Sequence, residues 1–512
     1  MFIVKLRRLA VYAALLALGS EAFAAATIQT NEVTITVDAG KVVHMMRGGI
    51  GASWHAIGPT VYYYPDLIGR DNRTCFGSAF GGNPPVRPEY EPAWRDLLRH
   101  ARWLGLDFIR VEISMRMYNP HCGEFTWDNT EMQTLDRILQ YCQSNHVDVY
   151  FTMMSQDVDW NAHPGVCRLQ SEPRSVADFA ESYATLLARL VKTNGFTCIH
   201  WVTVNNEPGM SSGWWQQADK KPGSIMPAVR ALRAALDQHG LKEVAVCGSD
   251  GHSLKSGQFE PQDSAVGALS VHNYGGNVPL SLYRECVKAA RDRGVPFFVA
   301  EFGHWFMGTF EGEKVSMNGP QSEAPKSYDA QMLNAEKVLV GLNEGVDGFN
   351  RWSFVNRGDL DGQWQMVRTW NPNLWDYYKE VTPEPVPYFS YGILTRFAAK
   401  HSTVLATSSD DSEIVATALR SPKGQTTIYL LNKSAQERKV TLKLAGVTES
   451  LVFRRYQVTE AEVTKSAFTL TPLAMLDMSP ANNRITAILP GKSIVAYTTF
   501  QLADDADGIT QE

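Results

Sequence analysis

The chain has no excess of basic charge. Its 512 residues carry 48 Lys and Arg against 54 Asp and Glu, a formal net charge of -6, and no run of Lys or Arg lies beyond the N-terminus. A polyanion would find no electrostatic footprint, so nucleic acid is excluded as an expected partner. Cysteine is sparse: Cys75, Cys122, Cys142, Cys167, Cys198, Cys247 and Cys286 are scattered and show no CxxC spacing, which excludes a zinc-ribbon type of motif. The odd count leaves at least one thiol unpaired within the chain. Cys75 with Cys122 or Cys167 is the candidate disulfide, because all three fall in loop-like stretches. Cys198 and Cys247 fall in apolar strands and read as core thiols. His55, His121, His163 and His304 lack metal-ligand spacing, so neither a metal nor an organic cofactor is expected. Internal repeats and low-complexity linkers are missing too.

Long apolar runs are also lacking. The stretch Leu9 to Leu18 is too short to span a bilayer, but it follows a charged head (Lys5, Arg7, Arg8) and precedes Ala22-Phe23-Ala24, a small-residue cleavage site. Residues 1-24 therefore read as a signal peptide, with the mature chain starting near Ala25. The residues around Arg7-Arg8 do not support a twin-arginine signal, which leaves Sec export. No cysteine follows the cleavage site, which argues against a lipoprotein. The expectation is an exported protein, periplasmic or extracellular, with no membrane anchor after cleavage and no obligate protein partner evident.

With 44% hydrophobic and 20% charged residues, the rest is ordinary globular chain, long enough for one large domain and a smaller one. Strand-like runs alternate with helical ones from Met46 to Lys400. The strands are Met46 to Ser53, Phe108 to Ser114, Val147 to Met154, Ile199 to Asn205, Val244 to Ser249, Leu269 to Tyr274, Phe297 to Glu301 and Gly348 to Phe354. Helical periodicity covers Glu89 to Leu104, Glu131 to Asn145, Val176 to Thr193, Pro227 to His239, Leu280 to Arg293, Tyr328 to Asn343 and Tyr388 to Lys400, and no convincing helix falls between Gly251 and Ala268. Ser175 is placed to cap the third helix, and Gly195 and Gly240 fall where C-caps belong. Eight such units imply a parallel sheet with right-handed crossovers, closed into a (β/α)8 TIM barrel of the α/β class over residues 46-400.

After Lys400 the texture changes to short β-rich runs: Glu413 to Leu419, Thr426 to Leu431, Lys439 to Leu444, Ser450 to Gln457 and Ser493 to Phe500. This predicts a C-terminal β-sandwich over residues 401-502, followed by a flexible acidic tail, 503-512. The alternating segment Thr27 to Asp38, within 25-45, is a further strand that the sandwich can recruit.

Barrel enzymes carry their chemistry at strand C-termini. Two runs here deliver one glutamate each at that end: Trp201-Val-Thr-Val-Asn-Asn-Glu207-Pro208 and Pro296-Phe-Phe-Val-Ala-Glu301. Cleavage of a glycosidic bond passes through an oxocarbenium-like transition state. It takes one carboxylic acid to protonate the leaving oxygen and one carboxylate facing the anomeric carbon, their proton affinities driven apart by environment. The other strand ends are polar or aromatic as well: Ser53-Trp54-His55, Arg110-Val-Glu112, Ser155-Gln156, Asp250, His272-Asn273-Tyr274 and Trp352. Arg110 has a plainer alternative, a structural pair with Glu112, and Trp352 one in the barrel core. His272 and Tyr274 alternate onto one face, so both point in or both point out.

On these residues the chain resembles clan A of the glycoside hydrolases, retaining (β/α)8 enzymes with an Asn-Glu-Pro acid/base motif ending strand 4 and a nucleophile glutamate ending strand 7. The resemblance covers the whole barrel. It implies Glu207 as acid/base and Glu301 as nucleophile, with Asn206 on the sugar 2-hydroxyl. Arg110 and Tyr274 would hydrogen-bond the nucleophile, His272 would line the site, and Trp352 would floor the subsite of the attacked sugar. This pattern is similar to family 5, although the third strand ends Met153-Met154-Ser155-Gln156 where that family commonly shows a histidine. The start Gly48-Gly49-Ile50-Gly51-Ala52-Ser53 and the two-ended sandwich resemble family 30 and its relatives.

The expected protein is an exported retaining β-glycosidase acting on an oligo- or polysaccharide by double displacement. A noncatalytic glycan-binding barrel and a transglycosylase are the alternatives. Trp54, Trp160, Trp214, Trp215, Trp305, Trp364 and Trp370 are rim candidates for sugar platforms, Trp54 foremost. The long loop Gly58 to Pro88 with Tyr62-Tyr63-Tyr64, and the insertion Gly303 to Lys326, would shape the subsites, whether as a pocket or as a cleft. Asp359-Leu-Asp361-Gly362 reads as a polar turn, not a calcium loop.

Overall fold

Eight parallel strands form one sheet: β2 (Ile50–His55), β3 (Phe108–Ser114), β4 (Asp148–Ser155), β5 (Ile199–Thr203), β6 (Ala245–Val246), β7 (Leu269–Asn273), β8 (Phe297–Phe302) and β9 (Gly348–Val355). Their order, β6-β5-β4-β3-β2-β9-β8-β7, follows the chain round a ring, and the isolated bridges Cys247↔Ala268 and Gly251↔Val271 join its two ends. This is the (β/α)8 barrel. In this computed structural model the described residues are 32-56, 82-209, 215-257, 259-304, 309-310, 313-314, 326-355, 364-371, 376-504 and 509-511.

The crossover helices are α1 (Glu91–Trp103), α2 (Thr130–Ser144), α3 (Val176–Ala188), α4 (Met226–Gln238), α5 (Leu280–Arg293), α6 (Tyr328–Glu344) and α7 (Pro385–Thr395). The Ser175 side chain accepts from the Asp178 amide and caps α3, and Gly195 and Gly240 take φ of 78° and 64°, values that suit glycine at a helix end. Beyond Ala188 the third helix widens into a π-turn, Arg189–Thr193. The weakest element of the ring is β6, two residues long where the sequence predicts six, with single bridges carrying the rest.

Inside the ring, Phe108, Tyr150, Cys247, Ala268, Phe298 and Ala300 fill the lower barrel, with Trp201 packed against them. A separate apolar core belongs to a nine-stranded sheet made of β1 (Val33–Met45), β10 (Thr403–Ser409), β11 (Ile414–Arg420), β12 (Thr426–Asn432), β13 (Arg438–Ala445), β14 (Leu451–Thr459), β15 (Ala474–Met478), β16 (Arg484–Leu489) and β17 (Ser493–Thr498). Its order is β15-β14-β17-β12-β11-β10-β1-β13-β16, with β1 antiparallel to β10 and parallel to β13. The N-terminal strand thus sits inside the C-terminal sandwich. The α6 and α7 helices dock on it through Tyr328 Oη to the Val458 carbonyl at 2.9 Å, Asn343 to the Ala416 carbonyl at 2.8 Å and Tyr429 Oη to the Leu394 carbonyl at 2.7 Å. Sequence periodicity missed β10, β15 and β16, whose apolar alternation is short.

The expected disulfide is corrected. Cys122 and Cys167 are free thiols, Cys122 exposed and Cys167 half-buried, so neither carries the anticipated bond. Cys198 and Cys247 are buried, as core thiols should be. The candidate signal peptide, Cys75, the Tyr62-Tyr63-Tyr64 cluster, Trp214, Trp305, the Trp370 side chain and the Asp359 to Gly362 turn lie outside the described residues. Among the described residues no helix is long and apolar enough to cross a membrane.

Candidate active site

The polar end of the barrel begins one layer above its aromatic floor. Arg110, on β3, is fully buried and donates to four partners: Glu301 Oε2 at 2.8 Å, Asn206 Oδ1 at 2.6 Å, Asp250 Oδ2 at 3.2 Å, and Glu112. Burial works against its charge, but Asp250, Glu112 and Glu301 more than offset that and hold its proton affinity well above the ordinary value. Arg110 thus pairs with Glu112 and donates to Glu301 at once. Glu112 also meets His55 through its other oxygen, and the His55 ring stands edge-on to Trp352, centroids 4.8 Å apart.

Glu207 follows β5 with φ of 45°, a left-handed backbone that turns the chain immediately before Pro208. Ser249 and Asp250 after β6 also have positive φ, 39° and 47°. Such residues cost conformational energy, and they cluster here, where strands end and side chains converge.

Glu301 reaches the site through an irregularity. In β8 the partners run Val271↔Val299 and then His272↔Glu301, so Ala300 is an extra residue. Phe298 and Ala300 both face the inner cluster, and strict alternation would turn Glu301 outward. The bulge restores it to the inside.

His272 and Tyr274, one strand face of β7 and its exit, both point inward. His272 Nδ1–H donates to Glu207 Oε1 at 2.9 Å and Nε2–H to Asp250 Oδ1 at 3.2 Å, while Glu301 Oε2 lies 3.7 Å from Nδ1. Burial opposes a charge on this ring, yet Glu301 and Asp250 raise its proton affinity to about 10. The Tyr274 hydroxyl donates to Glu301 Oε1. Asp250 is held by Arg110, His272 and the Tyr150 hydroxyl at 3.0 Å; burial pushes its carboxyl up, but Arg110 and His272 bring it down to about 2. For Glu301, burial is the largest influence and lifts its carboxyl to about 7 against the pull of His272 and Arg110. The guanidinium alone does not keep this group at an ordinary carboxylate value.

Glu207, His272 and Glu301 present ligand atoms within 4.8 Å of one another.

The structure thus brings together Glu207, Glu301, Arg110, Asn206, His272 and Tyr274. Trp352 borders them through His55, buried to 6% exposure. Trp54 is not among them. It alternates away from Ser53 and His55, is fully buried, packs against Tyr141 and Phe354 and donates its Nε1–H to Asn83 at 2.6 Å, so it is core, not a sugar platform. Trp215 is likewise buried, and Trp160 is packed against the core; each donates its indole N–H to a backbone carbonyl. Among the described candidates Trp364 lies near the cluster, buried and edge-on to Tyr274 at 6.5 Å. Sequence reading gave Glu112 only the part of a structural partner of Arg110, and no role to Asp250, His55 and Tyr150. Glu112, Asp250 and His55 are polar strand ends, and Tyr150 shares the inward face of β4 with Thr152.

A family model described as cellulase (glycosyl hydrolase family 5) matches residues 74–335. No protein of curated function matches by sequence. Among solved structures, the family 30 subfamily 8 xylanase from Clostridium acetobutylicum shares 14% identity over 91% of this chain and 99% of its own, TM-score 0.57. A conserved exported protein from Bacteroides fragilis shares 14% identity over 91% and 100%, TM-score 0.61. A glucosidase from Croceicoccus marinus shares 11% over 92% and 99%, TM-score 0.57. At these identities the likeness speaks for the fold, and it covers barrel and sandwich together.

Proposed function

Since the chain belongs to the cellulase family, glycosyl hydrolase family 5, and is therefore a glycoside hydrolase acting on carbohydrate, we propose that it is an exported retaining β-glycosidase with Glu207 as acid/base and Glu301 as nucleophile. The spacing of the two carboxylates carries this reading. One oxygen of each lies within 4.8 Å of the other, which favours the close pair of a retaining enzyme, about 5 to 5.5 Å between carboxyl groups, over the about 6.5 to 9.5 Å of an inverting one.

Arg110 and Tyr274 donate to Glu301 and favour its anion, whereas Glu207 meets only the shared His272 among the described side chains of the cluster. In the first step a Glu301 oxygen attacks the anomeric carbon, the glycosidic bond breaks, and Glu207 gives its proton to the departing oxygen. In the second, Glu207 takes a proton from water, whose oxygen attacks the same carbon as the bond to Glu301 breaks. Asn206, fixed by Arg110 through its carbonyl oxygen, offers its amide N–H to the sugar 2-hydroxyl, and Trp352 floors the subsite. Export rests on the leader read from Lys5 to Ala24.

The test is hydrolysis of aryl β-glycosides and β-linked polysaccharides by wild type, Glu207→Ala and Glu301→Ala, with azide added to each mutant. A β-azide product from Glu207→Ala and an α-azide product from Glu301→Ala are expected. Undiminished cleavage by Glu207→Ala would sink the assignment.

A further inference from the structure

Lys337, in the middle of α6, is fully buried, and among the described residues no carboxylate pairs with it. Its Nζ donates to two backbone carbonyls, Gly303 at 2.7 Å and Asn273 at 3.3 Å. These two residues close the neighbouring strands that carry the site. Asn273 stands between His272 and Tyr274, and Gly303 is two residues past Glu301. The last ladder pair joining the strands is Asn273↔Phe302, and among the described residues the only backbone bond beyond it, Gly303 N–H to the Asn273 carbonyl, is long at 3.3 Å. Past the end of the ladder the lysine gives the Gly303 carbonyl a donor and the Asn273 carbonyl a second one. The Tyr274 ring lies directly against Gly303, where even a Cβ would come within 3.0 Å of it.

Resting on the hydrolase reading, we propose that Lys337 is a positioning residue, a clamp from α6 that fixes the β7 and β8 exits so that Tyr274 meets Glu301 in attacking geometry. Burial lowers its proton affinity to about 7. Even the neutral amine keeps two N–H bonds, one for each carbonyl. No substrate contact is needed: the effect passes through two backbone segments, and misplacement of a nucleophile by about 1 Å costs on the order of a hundredfold in rate.

The experiment uses the full chain and the best aryl β-glycoside of the panel. Lys337→Met keeps the apolar stem and removes every donor; Lys337→Gln keeps a shorter one. With the clamp, kcat of Lys337→Met falls about ten- to a hundredfold while KM stays within about twofold, Lys337→Gln lies between it and wild type, and the melting temperature does not fall. A purely structural lysine gives another pattern: lower melting temperature, fewer active sites by burst titration, and wild-type kcat per active site. That pattern, or a folded Lys337→Met with wild-type kcat, overturns the inference, as does failure of both variants to fold. If wild type is no more active than Glu301→Ala, the hydrolase reading itself fails and this inference goes with it.

Discussion

The guanidinium of Arg110 lies 2.8 Å from a carboxylate oxygen of Glu301. The same side chain also holds Glu112 and Asp250, so one buried cation answers three buried carboxyl groups. Such a group cannot be a detachable accessory of Glu301.

Replacing it by an apolar residue of similar length takes the guanidinium from all three carboxyls and leaves Asp250 and Glu301 to His272. Arg110→Met is expected to lose about 3 to 5 kcal/mol of stability, the cost of breaking a buried pair from one side, and to abolish turnover. Urea denaturation followed by tryptophan fluorescence measures the first. A folded variant within experimental error of wild-type stability would make the network ornamental.

On the proposed mechanism the pH profile is set by Glu301. Its carboxyl is raised to about 7, chiefly by burial, and a nucleophilic carboxylate must be ionised. The ionised fraction falls tenfold per pH unit below that value, so the acid limb of kcat/KM should lie near neutrality and not near the usual glutamate range. Removing a donor to the anion raises its proton affinity, so Tyr274→Phe should move the limb to higher pH. Profiles of both enzymes on one aryl glycoside decide this; an acid limb at about pH 4 to 5 for wild type contradicts it.

Much of the site was legible in the sequence, because strand ends carry their own punctuation. Pro208 stops β5 directly after Glu207, and the apolar run before Glu301 ends at the glutamate. The alternation of His272 and Tyr274 left one binary choice, which the packing made. Register could not be read. The extra residue Ala300 re-aims Glu301, and nothing in Phe-Phe-Val-Ala-Glu-Phe announces a bulge. Trp54 failed for the matching reason: a strand end looks alike on its two faces, and the outward one meets Tyr141 and Phe354 instead of a sugar. Asp250 went without a role because its importance lies in partners from other strands, and Glu112 was legible only as a partner of Arg110 on its own strand, not of His55.

The placement of Trp54 is itself testable. Trp54→Phe loses a buried hydrogen bond to Asn83 and part of a filled core volume, which should lower stability by about 1 to 3 kcal/mol. A sugar platform would behave otherwise, raising KM with stability intact. Thermal unfolding alongside steady-state kinetics separates the two, and a KM increase of about tenfold at unchanged melting temperature would return Trp54 to the subsite.

Asp250 touches neither candidate catalytic carboxylate, yet it binds Arg110, His272 and Tyr150 at once. With Glu301 it is what keeps His272 charged against the cost of burial, raised to about 10. Asp250→Asn preserves shape and removes that charge, so the ring should lose its second proton at lower pH. Its Nδ1–H bond to Glu207 then depends on which nitrogen keeps the remaining hydrogen. Carbon-detected titration of histidine-labelled protein should show one ring moving down in pH between wild type and Asp250→Asn. The same variant should lose about tenfold or more in kcat, because the tautomer facing Glu207 is no longer fixed. An unmoved His272 titration with lowered kcat would assign the role of Asp250 to Arg110 alone, and an unmoved titration with wild-type kcat would remove Asp250 from the site.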